Sequence, residues 1–235
     1  MSQGKAFQFK QFRVTCNRSA MKLGTDGVLL GAWSRIENCS HILDVGTGCG
    51  IITLMAAQRN QVAEIDAIDI DSESVKDAAE NFQSSPWADR ITLRQADFNA
   101  WKGQYDHILS NPPFFTNGLL SPCVSRSRAR HTSSLSYDQL LSKSRDLLTD
   151  TGCLSFITPV EARSLIYELA AFKSMNIARM CDVIPVAGKQ AKRILWELTI
   201  GHAALERESL VISNSDHTYT SEYRSLCGDF YLRLD

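Results

Sequence analysis

DVGTGCG, residues 44–50, stands between the apolar stretch of residues 41–43 and a helical pattern over residues 51–58. Three glycines at alternate positions allow a sharp turn and let a ligand approach the backbone closely. The stretch lacks the glycine spacing of G-x-G-x-x-G and the Lys-Ser/Thr ending of a phosphate-binding loop, which disfavours pyrophosphate and triphosphate ligands. A strand, a glycine-rich turn and a helix in this order predict a nucleoside-cofactor loop in an α/β fold.

Two further strands are predicted to deliver carboxylates to the same edge of the sheet. The strand at residues 65–68 ends at Asp69, within about 20 residues of the glycine-rich stretch, the separation at which an acidic side chain meets the hydroxyls of a ribose. The strand at residues 91–95 leads to Asp97, which could accept from an adenine amino group flanked by Ile70 and Phe98; a solvated loop Asp is the equal alternative. Asp71 precedes a helical pattern over residues 72–82, so we expect it to cap that helix.

A fourth strand, residues 105–110, ends in Asn111-Pro112-Pro113-Phe114. Two consecutive prolines cannot donate to a sheet ladder, so the strand must end there, and open α/β sheets bind ligands outside such carboxyl ends. The Asn111 side-chain oxygen and the Pro112 carbonyl can accept both hydrogens of an exocyclic NH₂ group while Phe114 stacks on the ring. The tetrapeptide therefore predicts a site for a planar amine; an Asn-Pro turn beside a core Phe is the alternative.

The rest of the chain continues the alternation of helices and strands. Helices are predicted over residues 137–148 and 160–172, the second opened by Pro159, and strands over residues 153–157, 180–186 and 194–200. This alternation predicts a three-layer, mostly parallel sheet, and the short link of residues 187–192 predicts that the last strand is antiparallel. Residues 230–232 are apolar after a polar tail, so we expect the tail to dock on the core.

The four strand ends resemble those of the class I S-adenosylmethionine-dependent methyltransferases with an NPPF or NPPY motif. The order along the chain is the same: glycine-rich turn, ribose carboxylate, adenine-side Asp and Asn-Pro-Pro-Phe. KLGTDGVLLGAW at residues 22–33, ARH at residues 129–131 and DFYL at residues 229–232 are similar to the bacterial family that methylates N6 of adenosine 37, 3′ to the anticodon, in valine tRNA. The resemblance covers nearly all 235 residues, with Phe114 standing where many relatives carry Tyr.

The resemblance implies a Rossmann-like fold with a seven-stranded, mostly parallel sheet and an antiparallel last strand. It also implies S-adenosylmethionine as the cofactor, with Asp44 near its ammonium group and Thr25-Asp26 closing over it from the N-terminal side. The implied cofactor-binding residues are Thr25, Asp26, Asp44, Gly46, Thr47, Gly48, Gly50, Asp69, Ile70, Asp97 and Phe98. The implied catalytic residues are Asn111, Pro112, Pro113 and Phe114.

Length and composition agree with a cytoplasmic enzyme. A chain of 235 residues with 44% hydrophobic content can form one domain, in which we expect residues 1–35 to be an N-terminal extension and residues 36–235 the methyltransferase core. The sequence shows no signal-peptide core and no membrane-spanning stretch. Seven cysteines without a CxxC pair predict free thiols in a reducing compartment, and the histidines show no metal-ligand spacing, so we expect no metal. We expect a monomer.

A net charge of −1 gives no domain-wide basic excess, so any tRNA site must be a local patch. Three basic clusters are candidates, although each is equally well explained as a solvated surface. They are Lys5, Lys10, Arg13, Arg18 and Lys22; Arg126, Arg128, Arg130 and His131; and Lys189, Lys192 and Arg193. In the first cluster the aromatic residues Phe7, Phe9 and Phe12 could stack on unpaired bases or dock on the core.

Three other functions remain open at this level. The same motif type occurs in guanine-N2 methyltransferases of ribosomal RNA and in glutamine-N5 methyltransferases of proteins, but the extra domains common in both have no room in 235 residues. A non-catalytic RNA-binding module is the third, and intact motifs at four strand ends argue against it. A nucleotide-dependent dehydrogenase is disfavoured by the glycine spacing.

Overall fold

The computed structural model describes residues 6–19, 23–113 and 135–234. Its centre is an eight-stranded sheet in the order β10-β8-β9-β7-β6-β3-β4-β5. The sheet strands are β3 (His41–Val45), β4 (Glu64–Asp69), β5 (Ile91–Gln95), β6 (Tyr105–Ser110), β7 (Leu148–Pro159), β8 (Asn176–Val186), β9 (Arg193–Thr199) and β10 (Glu206–Ser213). A small N-terminal hairpin precedes them, β1 (Phe7–Gln8) and β2 (Arg13–Val14).

The sheet is mostly parallel, as the alternation of elements predicted. Strand β9 alone runs against its neighbours β7 and β8, which confirms the antiparallel strand after the short link. The sheet has eight strands where seven were predicted, because β10 pairs in parallel with β8 and extends the edge. The first half of β10 is Glu206-Arg207-Glu208-Ser209, and so polar a stretch gives no strand signal in the sequence.

Helices cover both faces of the sheet, giving the predicted three layers. Residues of α1, α2 and α3 lie in one buried cluster with the terminal helix α6, whereas α4 and α5 contribute to a second cluster on the opposite face. The helices are α1 (Thr25–Trp33), α2 (Ile51–Arg59), α3 (Ser72–Gln83), α4 (Tyr137–Leu147), α5 (Arg163–Phe172) and α6 (Ser221–Cys227). Pro159 opens a short 3₁₀ turn, Val160–Ala162, before α5 begins, so that helix starts three residues later than predicted.

The two ends of the chain pack against each other. Phe9 bridges to Tyr231, and the backbone N–H of Lys10 donates to the Phe230 carbonyl at 2.8 Å. Phe9 and Phe12 are buried, which confirms the docking alternative for both, while Phe7 is partly exposed. The buried Phe230 confirms that the tail docks on the core.

One cysteine prediction is wrong. Cys16 and Cys49 form a disulfide with Cα atoms 5.5 Å apart, although 33 positions separate them in sequence. No local pattern indicates this pair, because the two residues meet only when the N-terminal segment crosses the glycine-rich turn. Free thiols are found at Cys39, Cys153, Cys181 and Cys227, and burial raises the pKa of each to about 11 or 12. Cys123 lies outside the described residues.

Within the described ranges, no helix is both long and apolar enough to cross a membrane.

Candidate active site

The carboxyl ends of four neighbouring strands carry the residues singled out in the sequence. Across β3 and β6, Val45 stands opposite Ser110, so Gly46 and Asn111 follow at adjacent positions on the edge. Asp69, the last residue of β4, stands opposite Gln95 on β5, and Asp97 follows two residues later. Along the order β5-β4-β3-β6 the edge therefore presents Asp97, Asp69, the glycine-rich turn and Asn111.

The glycine-rich turn is anchored to β4 and opens toward the edge. The N–H groups of Gly46 and Thr47 donate to the Ile68 carbonyl at 2.9 and 3.0 Å, and Gly46 has a φ of 70°. A Cβ added at Gly46 would meet no atom within 4 Å, so the backbone faces open space where a ligand can approach. Gly50, with a φ of 85°, is the N-cap of α2, and a Cβ there would meet the Phe82 ring at 2.3 Å. Both positions therefore require glycine.

Asp44 holds the turn from inside the protein. It is fully buried, and its Oδ2 accepts from the hydroxyls of Thr47 at 2.7 Å and Thr53 at 2.6 Å. Burial raises the pKa of Asp44 to about 6, although the two hydroxyl donors act in the opposite direction. Its Oδ1 is buried and accepts no hydrogen bond from the described residues.

Asp69 joins the end of β4 to the glycine-rich turn. Its Oδ2 accepts from the Gly48 N–H and its Oδ1 from the Asp71 N–H, both at 2.9 Å. Burial raises the pKa of Asp69, and the two N–H donors oppose that shift. A carboxylate oxygen has more than one acceptor direction, so both oxygens can still meet ribose hydroxyls. Asp71 accepts from the Ser74 N–H at 2.9 Å, which confirms it as the cap of α3.

The adenine-side residues differ in their exposure. Asp97 is exposed, and its Oδ1 accepts from the backbone and side chain of Asn99 at 2.9 and 3.0 Å. Ile70, which directly follows Asp69, is a large apolar residue that is 41% exposed. Phe98 is only 5% exposed and belongs to the second core cluster, so little of its ring is left to face a ligand.

The Asn-Pro-Pro segment sits beside the glycine-rich turn. Ser110 donates from its hydroxyl to the Val45 carbonyl at 2.9 Å, which ties the end of β6 to the end of β3. Asn111 is half-buried, Pro112 buried and Pro113 exposed. Phe114 lies outside the described residues.

Asp26 and Arg193, assigned from the sequence to cofactor and RNA respectively, form an ion pair. Arg193 Nε lies 2.9 Å from Asp26 Oδ2, which joins the start of α1 to the start of β9. Thr25 is exposed at the first position of α1. Lys192 is exposed, as is Lys189, in the turn that connects β8 to β9 at the same edge of the sheet. Arg126, Arg128, Arg130 and His131 lie outside the described residues.

The sequence reading missed the residues that hold the N-terminal segment over this site. Asp77 and Asn81 are buried on α3 and hydrogen-bond residues 15–19, and a Cβ added at Gly48 would lie 3.7 Å from Ser19 Oγ. One signal in the sequence could have revealed them, namely polar residues at helix positions that face the core. Ser74, Asp77 and Asn81 recur at the spacing of the buried face of α3, where apolar residues are expected.

Comparison with known proteins identifies the family. The model of the methyltransferase small domain matches residues 27–167. A tRNA1(Val) (adenine(37)-N6)-methyltransferase of Vibrio vulnificus is 39% identical over 232 residues, covering 98% of this chain and 97% of the relative. A protein of the same name from Parabacteroides distasonis is 42% identical over 233 residues, covering 97% of this chain and 98% of the relative.

Solved structures show the same fold at low sequence identity. A protein from Agrobacterium tumefaciens described as a predicted O-methyltransferase superposes with a TM-score of 0.70 and 18% identity, covering 87% of this chain and 96% of the other. P. horikoshii TYW2, solved in complex with MeSAdo, superposes with a TM-score of 0.60 and 13% identity, covering 84% and 71%. With four motif-bearing strand ends on a methyltransferase fold and near-full-length relatives, the chain belongs to the methyltransferase small-domain family and, within it, to the tRNA1(Val) (adenine(37)-N6)-methyltransferases.

Proposed function

We propose that this protein transfers a methyl group from S-adenosylmethionine to N6 of adenosine 37 in valine tRNA. The observation that carries the proposal is the adjacency of Asn111 and Gly46 across the β3–β6 pair, on a chain whose relatives carry this activity in their name over nearly the whole length. That adjacency sets an amine-binding amide beside a nucleoside-cofactor loop.

The residues of β3, β4 and β5 fit the cofactor. S-adenosylmethionine, when bound, supplies an electrophilic methyl group on a sulfonium. The open backbone at Gly46 leaves space for a ligand, and the unpartnered Asp44 Oδ1 suits an ammonium group. Asp69 presents its carboxylate next to the turn for the ribose hydroxyls, and Ile70 with Asp97 lies on the adenine side.

The residues at the end of β6 act on the substrate amine. The Asn111 side-chain oxygen and the Pro112 carbonyl accept the two hydrogens of the exocyclic amine, which turns its lone pair out of conjugation with the ring and toward the methyl group. Phe114 stacks on the adenine. Because Asn111 is neutral, the methylated N6 loses its extra proton to water after the transfer, without a strong base.

Positioning is the main source of rate in this mechanism. Holding two reactants in the reactive geometry recovers on the order of 7–11 kcal/mol of the barrier. Part of that gain is offset by the cost of splaying adenosine 37 from the anticodon-loop stack, roughly a few kcal/mol. The rigid end of β6, tied to β3 through Ser110 and Val45, supports a fixed Asn111.

The tRNA approaches from the same edge of the sheet. Lys189 and Lys192 are exposed in the β8–β9 turn beside the carboxyl ends of β7 and β6, where they meet phosphates. Arg193 is held by Asp26, so it contributes more to the shape of this edge than to a direct phosphate contact. Arg126, Arg128, Arg130 and His131, which follow Asn111 in the sequence, complete the proposed basic surface. The enzyme acts as a monomer in the cytoplasm.

The proposal is tested by incubating the purified protein with S-adenosylmethionine and a valine tRNA transcript, then analysing the digested nucleosides by mass spectrometry. We expect N6-methyladenosine, and we expect none when adenosine 37 is replaced by guanosine. Methylation of guanosine N2, or of a glutamine in a protein substrate with the tRNA left unmodified, would replace this function by one of the alternatives.

A further inference from the structure

Residues 15–19, here called the strap, cross α3 and the glycine-rich turn. Ser19 Oγ lies over Gly48, at 3.7 Å from the position of an added Cβ. At its other end the strap is joined to the turn through the Cys16–Cys49 disulfide. The strap thus contacts the turn at both ends.

Asp77 fixes one end of the strap from α3. It is 1% exposed, and its Oδ2 accepts from the backbone N–H groups of Arg18 at 2.8 Å and Ser19 at 2.9 Å. Its Oδ1 accepts from the Arg18 guanidinium at 2.9 Å. A buried carboxylate with three donors, two of them backbone groups, selects one path of the strap over α3.

Asn81, one helical turn further along α3, joins the strap to the glycine-rich turn. Its Oδ1 accepts from the Thr15 N–H at 3.0 Å, and its Nδ2 donates to the carbonyls of Thr15 at 2.9 Å and Cys49 at 2.7 Å. Because Asn81 is 4% exposed, water cannot readily replace these bonds. One buried amide therefore ties both segments to the same helix.

A second series of hydrogen bonds connects Ser19 to Asp69, the carboxylate proposed to bind the ribose. Ser19 Oγ and Ser74 Oγ are 3.2 Å apart, and Ser74 Oγ donates to Asp71 Oδ2 at 2.8 Å. The Asp71 N–H donates to Asp69, which itself accepts from the Gly48 N–H. Polar contacts thus link the end of the strap to the turn that it crosses.

We propose that Asp77 and Asn81 are positioning residues for the cofactor site, and that they act through the strap by holding the glycine-rich turn in its ligand-binding conformation. Glycines at positive φ lose more conformational freedom on ordering than other residues, so a turn with Gly46, Gly48 and Gly50 at φ of 70°, 57° and 85° benefits from an external constraint. The ligand is S-adenosylmethionine, so this inference rests on the proposed function.

The test compares three variants in a buffer containing a dithiol reductant, because the Cys16–Cys49 bond would otherwise hold the strap in place. Asp77→Ala leaves the N–H groups of Arg18 and Ser19 without their acceptor, and we expect the Kd for S-adenosylmethionine to rise about tenfold. Asp77→Asn keeps one oxygen that can accept from both N–H groups, so it is expected to restore the Kd to within about twofold of wild type. Glu80→Gln is the matched control, since Glu80 pairs with the same Arg18 from an exposed position.

Hydrogen exchange of the ligand-free protein gives a readout that does not depend on catalysis. In Asp77→Ala we expect faster exchange at the amides of Arg18 and Ser19, and also at Gly48 and Gly50, while Ile42 in β3 keeps its protection. A general loss of stability would instead release Ile42 together with the others. Asn81→Ala, which breaks the bridge to Cys49 without changing the charge, is expected to give the same pattern if Asp77→Ala does not fold.

The result that overturns the inference is unchanged exchange at Gly48 and Gly50, with an unchanged Kd, in a variant whose Arg18 and Ser19 amides have lost protection. A failure of the proposed function looks different. In that case the exchange coupling between strap and turn persists, but the wild-type protein methylates no adenosine in valine tRNA.

Discussion

The edge of the sheet that carries the candidate site has two differently built regions, the ends of β3 and β4 and the turn between β8 and β9. At the ends of β3 and β4, the carboxylates are enclosed and bonded to neighbouring groups of the protein. Asp44 beneath the turn accepts from the Thr47 hydroxyl, and Asp69 accepts from the Gly48 N–H. At the β8–β9 turn, Lys189 and Lys192 stand exposed, and Asn111 at the end of β6 lies between the two regions. A small ligand of fixed shape suits the first region, whereas a large polyanion suits the second.

Under the proposed function, this difference assigns cofactor binding and methyl transfer to different residues. Changes in the enclosed region are expected to alter cofactor affinity and stability, because its groups depend on burial and on one another. Changes at Asn111 are expected to alter the rate. Changes at the exposed lysines are expected to weaken RNA binding and flatten its salt dependence.

The largest effect is expected at Asn111. Asn111→Ala should lower kcat for tRNA methylation by a factor of about 100 to 1,000, because the amide contact is made to the amine as charge develops in the transition state. The measurement is single-turnover methylation at saturating cofactor and tRNA. Asn176→Ala is the matched control, since Asn176 lies at the opposite edge of the sheet, bonded to the Gly201 carbonyl. Turnover like that of wild type in Asn111→Ala would contradict the assignment of Asn111 to chemistry.

The second effect concerns stability and pH at Asp44. Its pKa is raised from 3.8 to about 6 by burial, so the protonated form stabilises the fold, and that contribution is fully present below pH 3.8 and lost as the pH rises through about 6. Asp44→Asn stays neutral and is expected to be more stable than wild type at pH 7 by up to roughly 3 kcal/mol. Denaturant unfolding at pH 4 and pH 7 measures the difference between the two proteins.

The pH dependence of wild-type stability alone is not informative, because a second buried group shifts it in the opposite direction. Burial lowers the pKa of His107 to about 3, so its contribution to stability is lost on acidification instead. His107 is present in both proteins and cancels. A stability difference between wild type and Asp44→Asn that does not change with pH would show that Asp44 is not held in a desolvated site.

The third effect is on cofactor affinity. Asp69→Ala is expected to weaken S-adenosylmethionine binding by about 1.5–3 kcal/mol, the scale for hydrogen bonds to a charged group. Asp66→Asn is the control on the same strand, where Asp66 accepts from the Tyr105 hydroxyl and lies away from the turn. Equal affinities for Asp69→Ala and wild type would remove Asp69 from the cofactor site.

The smallest effect is expected at the exposed lysines. Lys189→Ala and Lys192→Ala should each flatten the log–log dependence of tRNA affinity on salt by roughly 0.7–0.9 while leaving cofactor affinity unchanged. Lys102→Ala, an exposed lysine that precedes β6 at the opposite edge, should not alter the slope. Equal slopes for all three variants would make the β8–β9 turn an ordinary solvated surface.

The sequence predicted the residues at the ends of β3, β4 and β6 better than the contacts that hold them in place. Strands ending in a glycine-rich turn, a carboxylate and Asn-Pro-Pro are local patterns, so their meeting at one edge of the sheet followed from them and from the βαβ topology. The disulfide, the strap and the ion pair between Asp26 and Arg193 depend on contacts between segments distant in sequence, which no local pattern encodes. Strand β10 was not predicted for another reason: it lies at the edge of the sheet, where a polar sequence is allowed.

Calorimetric titration of S-adenosylmethionine into Asn111→Ala and Asp69→Ala tests the division of the edge most directly. We expect Asn111→Ala to bind the cofactor with the affinity of wild type although it hardly methylates tRNA, and Asp69→Ala to bind it at least about tenfold more weakly. Equal weakening in both variants would contradict the division, because Asn111 would then belong to the cofactor site as much as Asp69 does.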